Sequence, residues 1–170
     1  EDWWDKKVEE LSKGMQQKIQ FISTVIHQPP LLILDEPFSG LDPVNTNLIK
    51  DEIHQLKSQG VSIIFSTHRM EQVEEICEHI VLINNGKNVL EGEVASVKDR
   101  FKKHRFHIGY EGELPPGLEE KIEIIDKSGK GFTIQAQEGQ SSNELLRFLL
   151  GEGIIIHSFH EVLPTLNEIF

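Results

Sequence analysis

An α/β sheet followed by a small α+β domain is the fold that the sequence predicts, on three observations. Up to about residue 95, short apolar runs (LLIL at 31–34, VSIIF at 61–65) alternate with helical periodicity, the pattern of strands joined by helices in a parallel sheet. Beyond about residue 104, apolar residues recur at every second position, as in half-exposed antiparallel strands. Between the two lies VKDRFKKHR, a basic, helical stretch in an otherwise acidic chain, which reads as a connector.

Each element follows from its residues. Ser12 precedes GMQQKIQFISTVIHQ, where Met15, Ile19, Ile22 and Ile26 share one helical face, and Pro29 and Pro30 end the helix. Leu31 to Leu34 form a continuous apolar run, expected of a central parallel strand covered on both faces. Asp42-Pro43 is a strong helix start, a capping carboxylate followed by proline at the first helical position. That helix turns Ile49, Ile53 and Leu56 inward and stops at Gly60. VSIIFSTH is a second buried strand, and Met70, Val73 and Cys77 mark the inner face of the next helix. HIVLINNGKNVLEGE reads as strand, turn at Asn84-Asn85-Gly86, and returning strand.

In the C-terminal stretch, Phe106/Ile108/Tyr110, Ile122/Ile124 and Phe132/Ile134/Ala136 mark three strands, with a hairpin turn at DKSGKG. A helix over SSNELLRFLLGEG, a strand at IIIHSF and the tail LPTLNEIF follow, a set that suits a ferredoxin-like domain. The expected division is 1–95 for the first domain, 96–104 for the connector and 105–170 for the second domain.

Composition excludes several classes. Lys plus Arg number 17 against 28 Asp plus Glu, a net charge of -11, which argues against nucleic acid as the main partner. Cys77 is the single cysteine, so there is no disulfide framework or thiolate zinc site, and a reducing, cytoplasmic setting is expected. No apolar run approaches the roughly 18 residues of a membrane span, and EDWWDKK has no signal-peptide character. The start at Glu1 without methionine reads as a cut piece of a longer protein. Of the eight histidines, His104/His107 and His157/His160 form H-x-x-H pairs. On extended backbone that spacing separates the two side chains onto opposite faces, so structural metal is not expected there.

Chemistry concentrates in four short motifs. LLILDEP delivers Asp35 and Glu36 to the carboxyl edge of the sheet, where ligands of α/β folds bind. LSKGMQQ places Ser12 and Gly14 where a helix begins, either a plain serine cap or an anion site built from free N–H groups. SGLD ends on Asp42, and STH places His68 just after the second strand.

In this order the four motifs resemble the C-terminal half of the ATP-binding cassette (ABC) ATPase of ABC transporters, a partial P-loop-type cassette over residues 1 to about 95. The resemblance implies ATP and Mg²⁺ as cofactors. It makes Asp35 the Mg²⁺ carboxylate, acting through the ion's water shell, and Glu36 the general base toward the attacking water. His68 would contact the γ-phosphate. Ser12, Lys13, Gly14 and Met15 would form the signature loop that reaches ATP on a second subunit in a head-to-tail dimer, and Asp42 would cross that interface. The usual signature is Leu-Ser-Gly-Gly-Gln; here Lys13 replaces a glycine and Met15 the glutamine. Trp3 and Trp4 are expected to pack locally.

The ending LPTLNEIF resembles that of exporter-type ABC ATPases with an accessory C-terminal domain. No glycine-rich phosphate loop ending in Lys-Ser or Lys-Thr occurs in the 170 residues. The resemblance therefore implies a fragment that is inactive alone. In the intact protein it implies an ATPase bound to membrane-spanning subunits at the inner face of the cell membrane. Two alternatives stay open: a non-hydrolysing regulatory module derived from such an ATPase, and a non-transport ABC ATPase.

Overall fold

A computed structural model describes residues 5–129, 131–137 and 139–170. Trp3 and Trp4 lie outside the described residues. The chain divides into two compact units, one ending at Cys77 and the other beginning at Glu78.

In the first unit, Ser12 caps helix α1 (Lys13–Val25) by accepting the Met15 N–H at 3.3 Å. Strand β1 (Leu31–Asp35) leads through Asp42-Pro43 into α2 (Pro43–Ser58), where Asp42 accepts the Asn45 N–H at 2.9 Å. Gly60, at φ 89°, lets the chain turn out of α2 into strand β2 (Ser62–Ser66). Strands β1 and β2 pair in parallel, Leu31 opposite Ser62 and Asp35 opposite Ser66. Helix α3 (Met70–Ile76) follows, and Lys50 of α2 forms an ion pair with Glu75 of α3.

The core of this unit joins Phe21, Leu32, Leu34, Phe38, Ile49, Ile53 and Ile76, with Phe65 edge-on to Phe38 at 6.1 Å. Three expectations change here. β1 is covered on one face only: Leu32 and Leu34 are buried, whereas Leu31 and Ile33 are exposed, as is Ile64 of β2. The helices of the unit pack on the Leu32/Leu34 side, so strand alternation leaves the other set in the open. On α1 the buried residue is Phe21, because that face meets β1; Ile19, Ile22 and Ile26 are exposed. On α3 the buried pair is Gln72 and Ile76, one turn apart, while Met70, Val73 and Cys77 are half-buried.

The second unit begins with the antiparallel hairpin β3 (His79–Asn84) and β4 (Lys87–Glu93). Asn85 and Gly86, both at positive φ, form its two-residue turn. Helix α4 (Val94–Arg100) starts three residues earlier than the basic stretch that marked it and stops at Arg100, so Lys102–Arg105 is not helical. Its Val97 is fully buried. Then come β5 (Arg105–Glu111), α5 (Leu118–Lys121), β6 (Glu123–Ser128), β7 (Gly131–Gln135), α6 (Ser142–Gly151), β8 (Ile155–Val162) and the short α7 (Leu166–Ile169).

The four strands β5 to β8 form one sheet in the order β6-β7-β5-β8, with every neighbouring pair antiparallel. Two helices connect strands that are not adjacent, which is the βαββαβ, ferredoxin-like arrangement expected from the period-two segments. Phe106, Ile108, Phe132 and Ile134 alternate onto the face that meets Leu118, Leu145 and Leu149. Ser141 and Glu144 close a capping box at the start of α6.

His157 and His160 both lie on β8, whereas His104 precedes β5 at φ 49° and is not on extended backbone with His107; register brings one member of each pair together. His107 lies directly opposite His160, ring centroids 5.3 Å apart, while His104 faces Glu161 and His157 faces Glu111. Among the described residues no three His, Cys, Asp or Glu side chains group so as to hold a metal ion. No described helix is long and apolar enough to cross a membrane.

Candidate functional site

The parallel register of β1 and β2 builds the site. Because Asp35 pairs with Ser66, the residues just past each strand, Glu36 on one and Thr67-His68 on the other, emerge side by side at the carboxyl edge. The Glu36 N–H continues the ladder to the Ser66 carbonyl at 3.0 Å. Beyond that bond the chain turns sharply, with Glu36 at φ 46°, a left-handed conformation that costs a non-glycine residue about 1–3 kcal/mol.

The Glu36 carboxylate is held from several sides. Oε1 lies 2.6 Å from His68 Nδ1 and accepts the His68 backbone N–H at 3.0 Å. Oε2 lies 3.2 Å from the Thr67 hydroxyl. Burial pushes this carboxyl up, but the hydrogen bonds and charge of His68, with Thr67, outweigh it and hold the group below its ordinary value. An ionised carboxylate only accepts, so the tautomer that fits carries its proton on Nδ1 and leaves Nε2 exposed to solvent.

Asp35, the last residue of β1, points to the exposed side and accepts a hydrogen bond from the Ser66 hydroxyl. One exposed carboxylate beside a hydroxyl is a hard oxygen set. It suits a Mg²⁺ ion that keeps most of its waters and takes its remaining ligands from phosphate.

The other expected residues form a second group around two helix starts. The Ser12 hydroxyl caps α1, and a methyl built on Gly14 would lie 3.7 Å from the Gly40 carbonyl and from Leu41. One built on Gly40 would fall 3.2 Å from the aliphatic chain of Lys13, so this loop fits closely against the start of α1. Met15 is half-buried. Lys18 Nζ reaches Asn45 Oδ1 at 3.0 Å, and Asn45 in turn binds Asp42. Hydrogen bonds from the Asn45 backbone and side chain hold the Asp42 carboxyl below its ordinary range. Gln17 Nε2, 3.5 Å from the Pro37 carbonyl, ties α1 to the segment that follows Glu36.

Three residues of the first group escaped the sequence reading as site residues: Ser66, Thr67 and Gln72. The first two stand inside the STH motif itself. The third was visible only as a polar residue one helical turn from Ile76, on a face where apolar residues are the rule.

Comparison with known proteins accounts for the whole chain. Residues 92–170 match the family model of the ATP-binding protein DrrA1-3-like, C-terminal domain. Residues 7–73 match an AAA domain model of the AbiEii-toxin, type IV toxin–antitoxin kind. The Bacillus subtilis protein YhaQ, an uncharacterized ABC transporter ATP-binding protein, is 46% identical over 99% of this chain and 57% of its own length. A protein of the same description from Alkalihalophilus pseudofirmus is 42% identical over 99% of this chain and 63% of its own length. The chain therefore spans about six-tenths of the length of these relatives. A solved ATP-binding subunit of an ABC transporter superposes on 55% of this chain and 39% of its own, with TM-score 0.52 and 33% identity. Sequence similarity from end to end, the α/β fold and the DrrA-like C-terminal domain agree: the chain belongs to the ABC transporter ATP-binding protein family.

Proposed function

We propose that this chain is the C-terminal part of the ATPase subunit of an exporter-type ABC transporter, and that Glu36 is the carboxylate acting on the water that attacks ATP. One observation carries the reading: the Glu36–His68 pair, 2.6 Å apart, stands at the strand ends beside Asp35. Mg²⁺, when bound with ATP, supplies charge neutralisation at the phosphates, and Asp35 is the residue that would face it.

The remaining steps belong to the protein's own groups. Glu36, ionised and held from one side by His68, orients a water and takes its proton. His68, fixed through Nδ1, turns Nε2 outward toward the terminal phosphate. Ser12, Lys13, Gly14 and Met15, with Asp42, face the nucleotide of a second subunit in a head-to-tail dimer. Their contiguity around Gly40 supports one shared surface. Membrane-spanning subunits complete the assembly at the cytoplasmic side, and nucleic acid is not a partner.

Residues 1–95 serve as the cassette part, 96–104 as the connector and 105–170 as an accessory domain. The resemblance of LPTLNEIF to the ending of exporter-type ABC ATPases supports the exporter assignment. With no glycine-rich phosphate loop in the 170 residues, the chain by itself is inactive.

The test is Mg·ATP turnover by this chain and by the same chain joined to a phosphate-loop half of the cassette, each with a Glu36→Gln control. Silence in the short chain, and hydrolysis in the long one that Glu36→Gln lowers by about 100-fold or more, is the expected result. Turnover by the short chain that Glu36→Gln abolishes means that phosphate is held by residues within this sequence. Hydrolysis in the long chain that survives Glu36→Gln removes Glu36 from the mechanism.

A further inference from the structure

Gln72 is the one buried polar side chain among the described residues, 8% exposed, and it sits on α3 beneath the loop that carries Thr67 and His68. A buried amide is tolerated where its hydrogen bonds are met. Its amide oxygen Oε1 lies 3.1 Å from the Thr67 hydroxyl, and that same hydroxyl lies 3.2 Å from Glu36 Oε2. The Arg69 N–H also donates to Thr67 Oγ1, at 3.2 Å.

Proton counting decides the direction of the chain. A hydroxyl has one proton and two lone pairs. Glu36 is ionised and is the stronger acceptor, so the Thr67 proton goes to Oε2. Gln72 Oε1 would then oppose a second acceptor; exchanging the oxygen and nitrogen of the amide, which are alike in size, lets Gln72 Nε2 donate to Thr67 Oγ1 through the same contact. Arg69 N–H and Gln72 NH₂ fill both lone pairs, and Thr67 is fully satisfied only in this arrangement.

We infer that Thr67 and Gln72 are positioning residues for Glu36: the buried amide orients the hydroxyl, and the hydroxyl fixes the direction of Oε2. The inference rests on the reading of Glu36 as the carboxylate that acts on water. The need for such a device follows from the backbone. Glu36 stands past the end of β1 at φ 46°, so no strand neighbour aligns its side chain. Both contacts from His68 go to Oε1. Rotation of the carboxylate is therefore limited on one side by His68 and on the other by Thr67.

The test compares Thr67→Val, Thr67→Ser, Gln72→Glu and Glu36→Gln in the full-length subunit that contains this chain, measuring kcat and KM for Mg·ATP hydrolysis. Thr67→Val is expected to lower kcat about 10- to 100-fold with KM changed by less than about twofold, because the interaction acts on the attacking water and not on nucleotide binding. Thr67→Ser, which keeps the hydroxyl, restores kcat to within about threefold. Gln72→Glu sets a second carboxylate against the one hydroxyl proton and behaves as Thr67→Val. Because Gln72 is buried, a readout without activity accompanies these. In the present chain the Gln72 side-chain NH₂ exchanges slowly with solvent, and Thr67→Val speeds that exchange. A Thr67→Val subunit with unchanged kcat, alongside a dead Glu36→Gln subunit, overturns the inference and leaves the role of Glu36 standing. An active Glu36→Gln subunit overturns both.

Discussion

Glu36 and His68 are 32 positions apart in sequence, yet His68 reaches the same carboxylate oxygen twice, with its backbone N–H at 3.0 Å and its ring Nδ1 at 2.6 Å. The parallel pairing of Asp35 with Ser66 places Glu36 one residue and His68 two residues beyond a strand end, so the contact is a product of register.

Stability of the first unit depends on the ionisation of Glu36. The folded state holds this carboxyl below its ordinary value, so it binds a proton less readily than the unfolded chain does. The stabilisation is present above the ordinary glutamate value, about 4.3, and is lost as pH falls through the lower folded value. The urea midpoint of the native chain should drop faster than that of Glu36→Gln as pH is lowered from about 5. Parallel pH profiles for the two chains contradict this.

Asp42 begins α2 by accepting the Asn45 N–H, with proline next in line. Asp42→Ala lowers the urea midpoint of the first unit, whereas Asp42→Asn, which keeps a capping oxygen, loses little. Equal losses for the two variants would show that charge, not capping, is what matters at this position.

Gly131 lies under the imidazole of His107: a methyl built there would come within 2.6 Å of Nε2 and 3.2 Å of the Ile108 carbonyl. Gly131→Ala should cost about 1–3 kcal/mol through overpacking. In a double-mutant cycle, much of that loss should vanish on the His107→Ala background. An unchanged penalty in the double mutant would place the strain in the backbone.

Phe132 and Ile53 anchor separate cores, both fully buried. Phe132→Ala is expected to cost about 3–5 kcal/mol and Ile53→Ala about 2–5 kcal/mol. Amide exchange, read residue by residue, should quicken around the altered core in each case.

The exposed apolar face of β1 and β2 gives a different outcome. Leu31, Ile33 and Ile64 stand open, Ile33 at 68% exposure, and such a surface favours association or dye binding. Ile33→Lys with Ile64→Lys should reduce anilinonaphthalene sulfonate fluorescence and self-association while leaving the urea midpoint nearly unchanged. A large fall in midpoint would mean that these side chains are buried in solution.

Much of the local structure was legible in the sequence. Asp42-Pro43 specified the start of a helix, Asn85-Gly86 a hairpin turn, and the period-two residues from Phe106 to Ala136 the strands of the second unit, because each rests on neighbours within a few residues. The residue types of the site were legible for the same reason, as Asp35, Glu36 and His68 each close a strand-like run. Tertiary structure alone decided which faces are covered and which distant residues meet. Phe21, not the isoleucine stripe, is buried on α1 because that side meets β1. Likewise Glu36 meets His68, His107 meets His160, and Gln72 reaches Thr67, through pairings and packing that no local period encodes. Periodicity fixes the spacing of side chains along one element; contact between elements depends on register and on which surface is shielded from water.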